Sequence, residues 1–192
     1  METELLGWPA DGPTLRLDHE RFSYAGKFVM SNTGKAVVRP DSANGGEDES
    51  GDRASETEDD ADDDALLAAA AFNEDRTDAA TLWIRYITVR QDQRGEGIGP
   101  ELAEFVAERA ADRGYDRVRI AVNNPFAYEA LYKAGFGYTG ETTGIAELVL
   151  ERPDDRGGAR YREGMAEFRG RENLTDAERA FVAEAEEPPS RA

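Results

Sequence analysis

The residues Arg94-Gly95-Glu96-Gly97-Ile98-Gly99 lie between a stretch rich in β-branched and aromatic side chains and a run with helical periodicity. Glycines at alternate positions let successive backbone N–H groups turn into one concavity. A helix opening directly afterwards adds its unpaired N-terminal donors and the positive end of its dipole. An anionic phosphate is the natural occupant of such a cradle. Two common phosphate motifs do not fit: a dinucleotide fingerprint needs glycine where Pro100 stands, and a P-loop needs Gly-Lys-Ser/Thr. A glycine-rich turn that only reverses the chain stays open as the plain alternative for this stretch alone.

A second patch, Asn124-Pro125-Phe126-Ala127-Tyr128-Glu129-Ala130-Leu131-Tyr132-Lys133-Ala134-Gly135-Phe136, places two phenols one helical turn apart. Tyr128 and Tyr132 can each donate a proton, or serve as amphipathic packing residues with wet hydroxyls. Glu74 and Asp75, beside the strand that leads to the glycine turn, can accept a proton directly or through water, or be solvated loop acids. His19 is the single histidine and reads as a surface residue. With no cysteine there is no thiolate nucleophile, disulfide or Cys-ligated metal, and no metal is expected.

These groups need strands and helices to hold them. Thr14–Asp18 alternates like a short strand, and His19–Ser31 carries Phe22, Ala25, Val29 and Met30 at near-helical spacing behind a candidate cap, Asp18, although Gly26 leaves a hairpin as the competing reading. Lys35–Arg39 predicts a strand ended by Pro40. The run Ala68–Ala71 has high helix propensity, yet it is short and leads through a polar connector to an obvious strand, so 65–73 is expected to be a strand antiparallel to the next. That next strand is Thr81–Arg90, with Trp83, Ile84, Tyr86, Ile87 and Val89. A helix from Pro100 presents Leu102, Phe105, Val106 and Ala110 and ends at Gly114. Arg117–Val122 alternates, with Arg117 and Arg119 as sheet-face charges. A helix over about 125–134 and strands near 136–140 and 145–151 complete the domain. Beyond it, Thr175-Asp176-Ala177-Glu178 predicts a capping box for a last helix.

At this point the two patches resemble the GCN5-related N-acetyltransferase (GNAT) superfamily. The first is similar to its Arg/Gln-x-x-Gly-x-Gly/Ala signature, and the second to its Asn-x-x-Ala…Gly-Phe helix, read as Asn124, Ala127, Gly135 and Phe136. The likeness covers 81–140 strongly and 14–150 in element order. It implies an α/β acyl-CoA N-acyltransferase fold: a mixed, mostly antiparallel sheet flanked by helices, splayed between the fourth and fifth strands. It also implies acetyl-CoA as co-substrate and an amine acceptor that attacks the thioester directly. Carried over residue by residue, the pantetheine arm falls on Ile87, Thr88 and Val89, the pyrophosphate on Arg94, Gly95, Glu96, Gly97, Ile98 and Gly99, and a further coenzyme contact on Asn124. A backbone N–H near Val89 is the implied oxyanion donor. The tyrosine that family members often carry five residues before the Gly-Phe phenylalanine is Leu131 here, so Tyr132, then Tyr128, are the candidate general acids and Glu74 the candidate base. The family's acceptor-site helix pair is compressed into His19–Ser31. These departures keep an alternative open, a catalytically weak or inactive acyl-CoA-binding sensor or interaction module.

Composition frames the setting. The 192 residues carry 41 acids against 23 bases, a formal charge of −18. Residues 41–64 alone hold twelve acids, one base and no apolar side chain larger than alanine, leaving −7 for the other 168 residues. That segment is expected to be a disordered insertion in a domain spanning 1–152, followed by a helical appendage, 153–192. The acidity argues against nucleic-acid partners. No apolar run approaches the ~20 residues that span a bilayer, so no membrane and a cytoplasmic location are expected. Three lysines against twenty arginines, with so many acids, resemble the surfaces of halophile proteins; at ~1 M salt a Debye length of ~3 Å screens the acids' repulsion. The expected partner is the amine acceptor, with a homodimer left open.

Overall fold

The computed structural model describes residues 1–41, 65–155 and 157–190. Apart from Asp41, the acidic insertion lies outside the described residues. Seven strands form one open mixed sheet in the order β1-β2-β3-β4-β5-β7-β6. They are β1 (Glu2–Gly7), β2 (Gly34–Arg39), β3 (Ala68–Glu74), β4 (Thr81–Val89), β5 (Arg117–Val122), β6 (Gly137–Thr142) and β7 (Leu148–Arg152). Four helices accompany them: α1 (Ile98–Ala111), α2 (Pro125–Lys133), α3 (Gly157–Arg169) and α4 (Asp176–Glu184). The chain divides into two units, Met1–Asn73 with Tyr86–Leu102, and Glu74–Arg85 with Ala103–Ala192.

In the first unit β2 is antiparallel to β1 and to β3, in registers that include Leu5↔Ala36 and Val37↔Ala69. The alanine run is strand, as expected. Ala68 to Ala71 are all fully buried, and their pairing with β2 outweighs an intrinsic helix preference worth only tenths of a kcal/mol per residue. Small side chains also allow close approach here: a Cβ on Gly34, which pairs with Phe72, would run into that ring. Hydrogen bonds from Asp75 N–H to the Thr81 carbonyl (2.9 Å) and from Arg90 N–H to the Leu67 carbonyl (2.8 Å) bracket β3 and β4 in the antiparallel sense.

Two expectations fail in this unit. Residues 14–18 are not a strand, and 19–31 are not a helix but a chain of turns with a single 3-10 turn at Ala25–Lys27. Asp18 does cap, accepting the Glu20 N–H at 2.8 Å, but what it caps is a tight turn. The physical reason is the core. Leu15, Phe22, Ala25 and Phe28 are buried together with Val37 and Leu66, and the Leu15 N–H bonds the Phe28 carbonyl, folding the segment back on itself. Val29 and Met30, counted as apolar-face residues in a helix, remain 46% and 43% exposed. The edge strand β1 has too little apolar alternation to announce itself.

In the second unit β5 runs parallel to β4, from Thr81↔Arg117 to Ile84↔Ile120, while β4 continues to Val89. The register of β7 is antiparallel to both β5 and β6. Along β5 the alternation is as read, with Val118, Ile120 and Val122 buried. Arg119 spans the sheet face to Glu151 (2.7 Å) and Glu141 (3.3 Å). Helix α1 buries Leu102, Val106 and Ala110 and gives way to Gly114 at φ 86, a left-handed stop. In the C-terminal segment, α3 turns Tyr161, Met165 and Phe168 inward, all fully buried, and packs on β6. The Thr175–Glu178 capping box forms at the start of α4. Among the described residues no helix is long and apolar enough to cross a membrane.

Candidate functional site

The turn after β4 is built by backbone conformation. A short 3-10 turn at Gln91–Gln93 is followed by Gly95 and Gly97, at φ 91 and 83. Both lie in the left-handed region that other residues enter at ~1–2 kcal/mol. A Cβ on either would meet nothing within 4 Å, so it is the dihedral and not space that calls for glycine. Gly99 differs: its φ is ordinary, and a Cβ there would sit 3.3 Å from a Val89 methyl. Helix α1 begins at Ile98, and the Glu101 N–H closes its first turn on the Gly97 carbonyl at 3.2 Å. The N–H groups of Ile98 and Gly99 precede any intrahelical acceptor, and Pro100 has none to offer. The result is an exposed loop whose amides supply the positive potential an anion needs.

Arg94 is tied into this loop. Its Nε reaches the Val89 carbonyl at 3.4 Å and its Nη2 donates to Ser23 Oγ at 2.8 Å. The Gln91 N–H bonds the Arg21 carbonyl at 3.0 Å, so the turn is anchored twice to the loop over 18–31. On β4, Ile87 and Val89 are half-buried. Thr88 is buried, and its Oγ1 finds no hydrogen-bond partner among the described residues, an orphaned polar atom on the strand that carries the turn.

In the second unit Asn124 is the N-cap of α2. Its Oδ1 accepts the Ala127 N–H at 2.8 Å, with Pro125 at the first helical position. The Asn-x-x-Ala spacing thus has a local cause, a cap and the amide it receives. Tyr128 is fully buried between Tyr138, Tyr161 and Phe168, and its hydroxyl donates to the Tyr161 carbonyl at 3.1 Å. Burial, reinforced by the neighbouring phenols, pushes its pKa up. Tyr132, 6% exposed, packs its ring against that of Tyr161, with centroids 4.6 Å apart and planes tilted by 54°. The Tyr161 hydroxyl donates to Glu129 Oε2 at 3.0 Å, and Glu129 Oε1 is paired with Lys133 at 2.6 Å.

The two acids before β4 differ. Glu74 Oε1 accepts the Tyr115 hydroxyl at 2.5 Å. Asp75 is saturated: it accepts from the Thr77 hydroxyl and N–H, the Asp78 N–H and the Trp83 indole, and the Thr77 hydroxyl above all holds its pKa down at about 2. Such a carboxylate fixes a turn. His19 is exposed, its Nδ1 4.0 Å from Asp18 Oδ1. No metal-binding cluster of His, Cys, Asp and Glu occurs among the described residues.

Three residues with a part in this geometry escaped the sequence reading: Ser23, Tyr161 and Arg171, whose guanidinium donates to the carbonyl of Asn123, the residue before the α2 cap. For Tyr161 a signal existed, since Tyr161, Met165 and Phe168 fall at helical spacing within an otherwise charged tail. For Ser23 and Arg171 none did.

Residues 46–138 match the model of the Acetyltransferase (GNAT) family. No curated protein matches the chain in sequence. Among solved structures the chain is similar to nourseothricin acetyltransferase at 15% identity, covering 78% of this chain and 96% of that one, with a TM-score of 0.47. It is similar to an N-acetyltransferase from Staphylococcus aureus Mu50 at 17% identity, covering 62% of this chain and 66% of that one, with a TM-score of 0.45. A third, the PaiA N-acetyltransferase from Thermoplasma acidophilum in complex with coenzyme A, matches at 19% identity over 47% of this chain and 55% of that one, with a TM-score of 0.39. The part of this chain that matches the GNAT acetyltransferase family by sequence is thus residues 46–138, a little under half of its length.

Proposed function

We propose that the protein transfers an acetyl group from acetyl-CoA to a primary amine by direct attack, with no acyl-enzyme. The observation that carries this reading is the Arg94–Gly99 turn, two left-handed glycines feeding a helix N-terminus, inside a span that matches an acetyltransferase family. Backbone amides can bind a pyrophosphate on a chain whose overall charge is −18 because they act at hydrogen-bond range, where repulsion from distant, solvated acids is screened. The orphaned Thr88 hydroxyl on β4 fits a strand reserved for a polar ligand such as the pantetheine arm.

When bound, acetyl-CoA supplies an activated thioester. The chain's own groups do the rest. Residues 87–89 orient the pantetheine arm, the N–H groups from Gly95 to Gly99 hold the pyrophosphate, and a backbone N–H near Val89 faces the developing oxyanion. The amine nitrogen forms the new C–N bond as the C–S bond breaks. Glu74 takes the amine proton, directly or through water, and Tyr132 gives its hydroxyl proton to the departing sulfur. Tyr128 is the weaker acid candidate because its proton is committed to a carbonyl in a buried aromatic cluster. Asp75 is the weaker base because its oxygens are already filled. A cationic acceptor suits the acidic surface, and a cytoplasmic, high-salt setting suits the composition.

One observation favours a second reading, a coenzyme-binding module without turnover: Leu131 occupies the position where the family often places its tyrosine, and it is buried. Incubation with acetyl-CoA and a panel of small amines, peptides and ribosomal proteins, with free thiol followed, separates the two. Amine-dependent thiol release supports the transferase. Tight acetyl-CoA binding with no release across the panel supports the module.

A further inference from the structure

We infer that Arg171, in the α3–α4 connection and outside the span matched to the family, is a positioning residue for the coenzyme-binding end of α2. Its guanidinium lies 4.4 Å over the ring of Phe168, which is itself fully buried, so the fork stands on a fixed platform. From there Nη1 donates to the Asn123 carbonyl at 2.8 Å and Nη2 to the Ala146 carbonyl at 2.6 Å. Two nitrogens of one rigid plane thus hold the chain leaving β5 and the turn between β6 and β7.

The first of these bonds bears on Asn124. The Asn123 carbonyl and the Asn124 N–H belong to one planar peptide unit, so fixing the oxygen fixes the direction of that N–H. Asn124 spends its Oδ1 on the helix cap. Its backbone N–H and its side-chain amide, which makes a long 3.3 Å bond to Asn123 Oδ1, are the donors it can offer a ligand. The backbone N–H is aimed by the peptide that Arg171 holds, and the side-chain amide by the cap bond to Ala127. The inference rests on Asn124 being a coenzyme contact.

Calorimetric titration of acetyl-CoA into the full chain and its variants, well below their melting temperatures, tests it. Arg171→Ala is expected to weaken acetyl-CoA binding about tenfold. Arg171→Lys, which can reach one carbonyl as a point charge, is expected to recover part of that loss. Arg162→Ala, which removes a surface pair with Glu187 (3.2 Å) in the same segment, is expected to leave the affinity at the parent's value. Unchanged affinity in Arg171→Ala, even with a lowered melting temperature, overturns the inference and leaves Arg171 as a tail anchor. Equal loss in Arg162→Ala also overturns it, since general loosening of the tail is then sufficient. If the parent chain binds acetyl-CoA but Arg171→Ala does not differ, the inference alone fails; if the parent does not bind it, the coenzyme reading falls and takes the inference with it.

Discussion

The glycine turn and helix α2 contribute to the proposed chemistry in opposite ways. The turn at 94–99 is made by its own residues. Left-handed dihedrals at Gly95 and Gly97 and a helix start at Ile98 create its donors, and little outside the turn is needed to explain them. Helix α2 is set by residues far along the chain. Tyr128 is locked by a carbonyl of α3, Tyr132 packs at a tilt against Tyr161, and the peptide before Asn124 is held from the α3–α4 connection. A site made from local backbone is robust to change elsewhere and written in a short motif. A site made by side chains on a short helix depends on whatever packs against that helix.

The largest effect expected is on the chemical step. Tyr132→Phe should lower kcat about 100-fold or more, the usual contribution of a general acid, while acetyl-CoA affinity stays as it was. Tyr128→Phe should instead keep turnover and lose about 1 kcal/mol of stability, because it strips a donor from a buried carbonyl. Equal loss of kcat in both would erase the distinction between the two phenols. Next comes the turn: Gly95→Ala with Gly97→Ala should let this exposed loop relax out of its left-handed dihedrals in the free protein, leaving the melting temperature little changed. Acetyl-CoA binding should weaken about 100-fold, because binding must restore both dihedrals at ~1–2 kcal/mol each. On the other side of the comparison, Gly164→Ala should cost about 1–3 kcal/mol of stability, since its Cβ would overlap the Tyr128 hydroxyl in a core with no room to yield. Thermal denaturation checks this; the turn variants should not share the loss.

The smallest effect is a pH dependence. Lys35 is fully buried, and its ammonium donates to the Met30 and Thr33 carbonyls and to Thr33 Oγ1 (2.8, 3.0 and 2.5 Å). Desolvation lowers its pKa from 10.5 to about 8. Between those values the folded chain binds fewer protons than the unfolded one, so stability rises with pH across that window. The melting temperature of the parent should gain about 2–4 °C from pH 8 to 10 relative to Lys35→Met. Parallel curves for the two would remove Lys35 as the cause.

The same contrast explains what could be read in advance. The alternation of Val118, Ile120 and Val122, the glycine turn and the Thr175–Glu178 cap are local patterns, and the structure carries all three. Even the alanine strand was legible, because its brevity and the connector after it overrode propensity. The segment 14–31 was not. Its apolar spacing of about three suits turns as well as a helix, and only the Leu15–Phe28 hydrogen bond and a shared core with Val37 and Leu66 decide between them. Asp75 read as a base or a solvated loop acid, and the donors that fill it, Thr77 and Asp78 in its own turn and the Trp83 indole on β4, are marked by no motif. Arg171 is the clearest case: one arginine in a charged tail, distinguished only by which carbonyls the fold brings to it.

The turn after β4 is proposed to be a pyrophosphate site serving acetyl transfer. Parallel titrations with acetyl-CoA and with S-acetylpantetheine, which keeps the thioester arm and lacks the pyrophosphate, test it most directly. A pyrophosphate site should give saturable binding of acetyl-CoA and at least about 100-fold weaker binding of S-acetylpantetheine, a difference of about 2.7 kcal/mol. Equal affinity for the two, or no binding of acetyl-CoA, would contradict it.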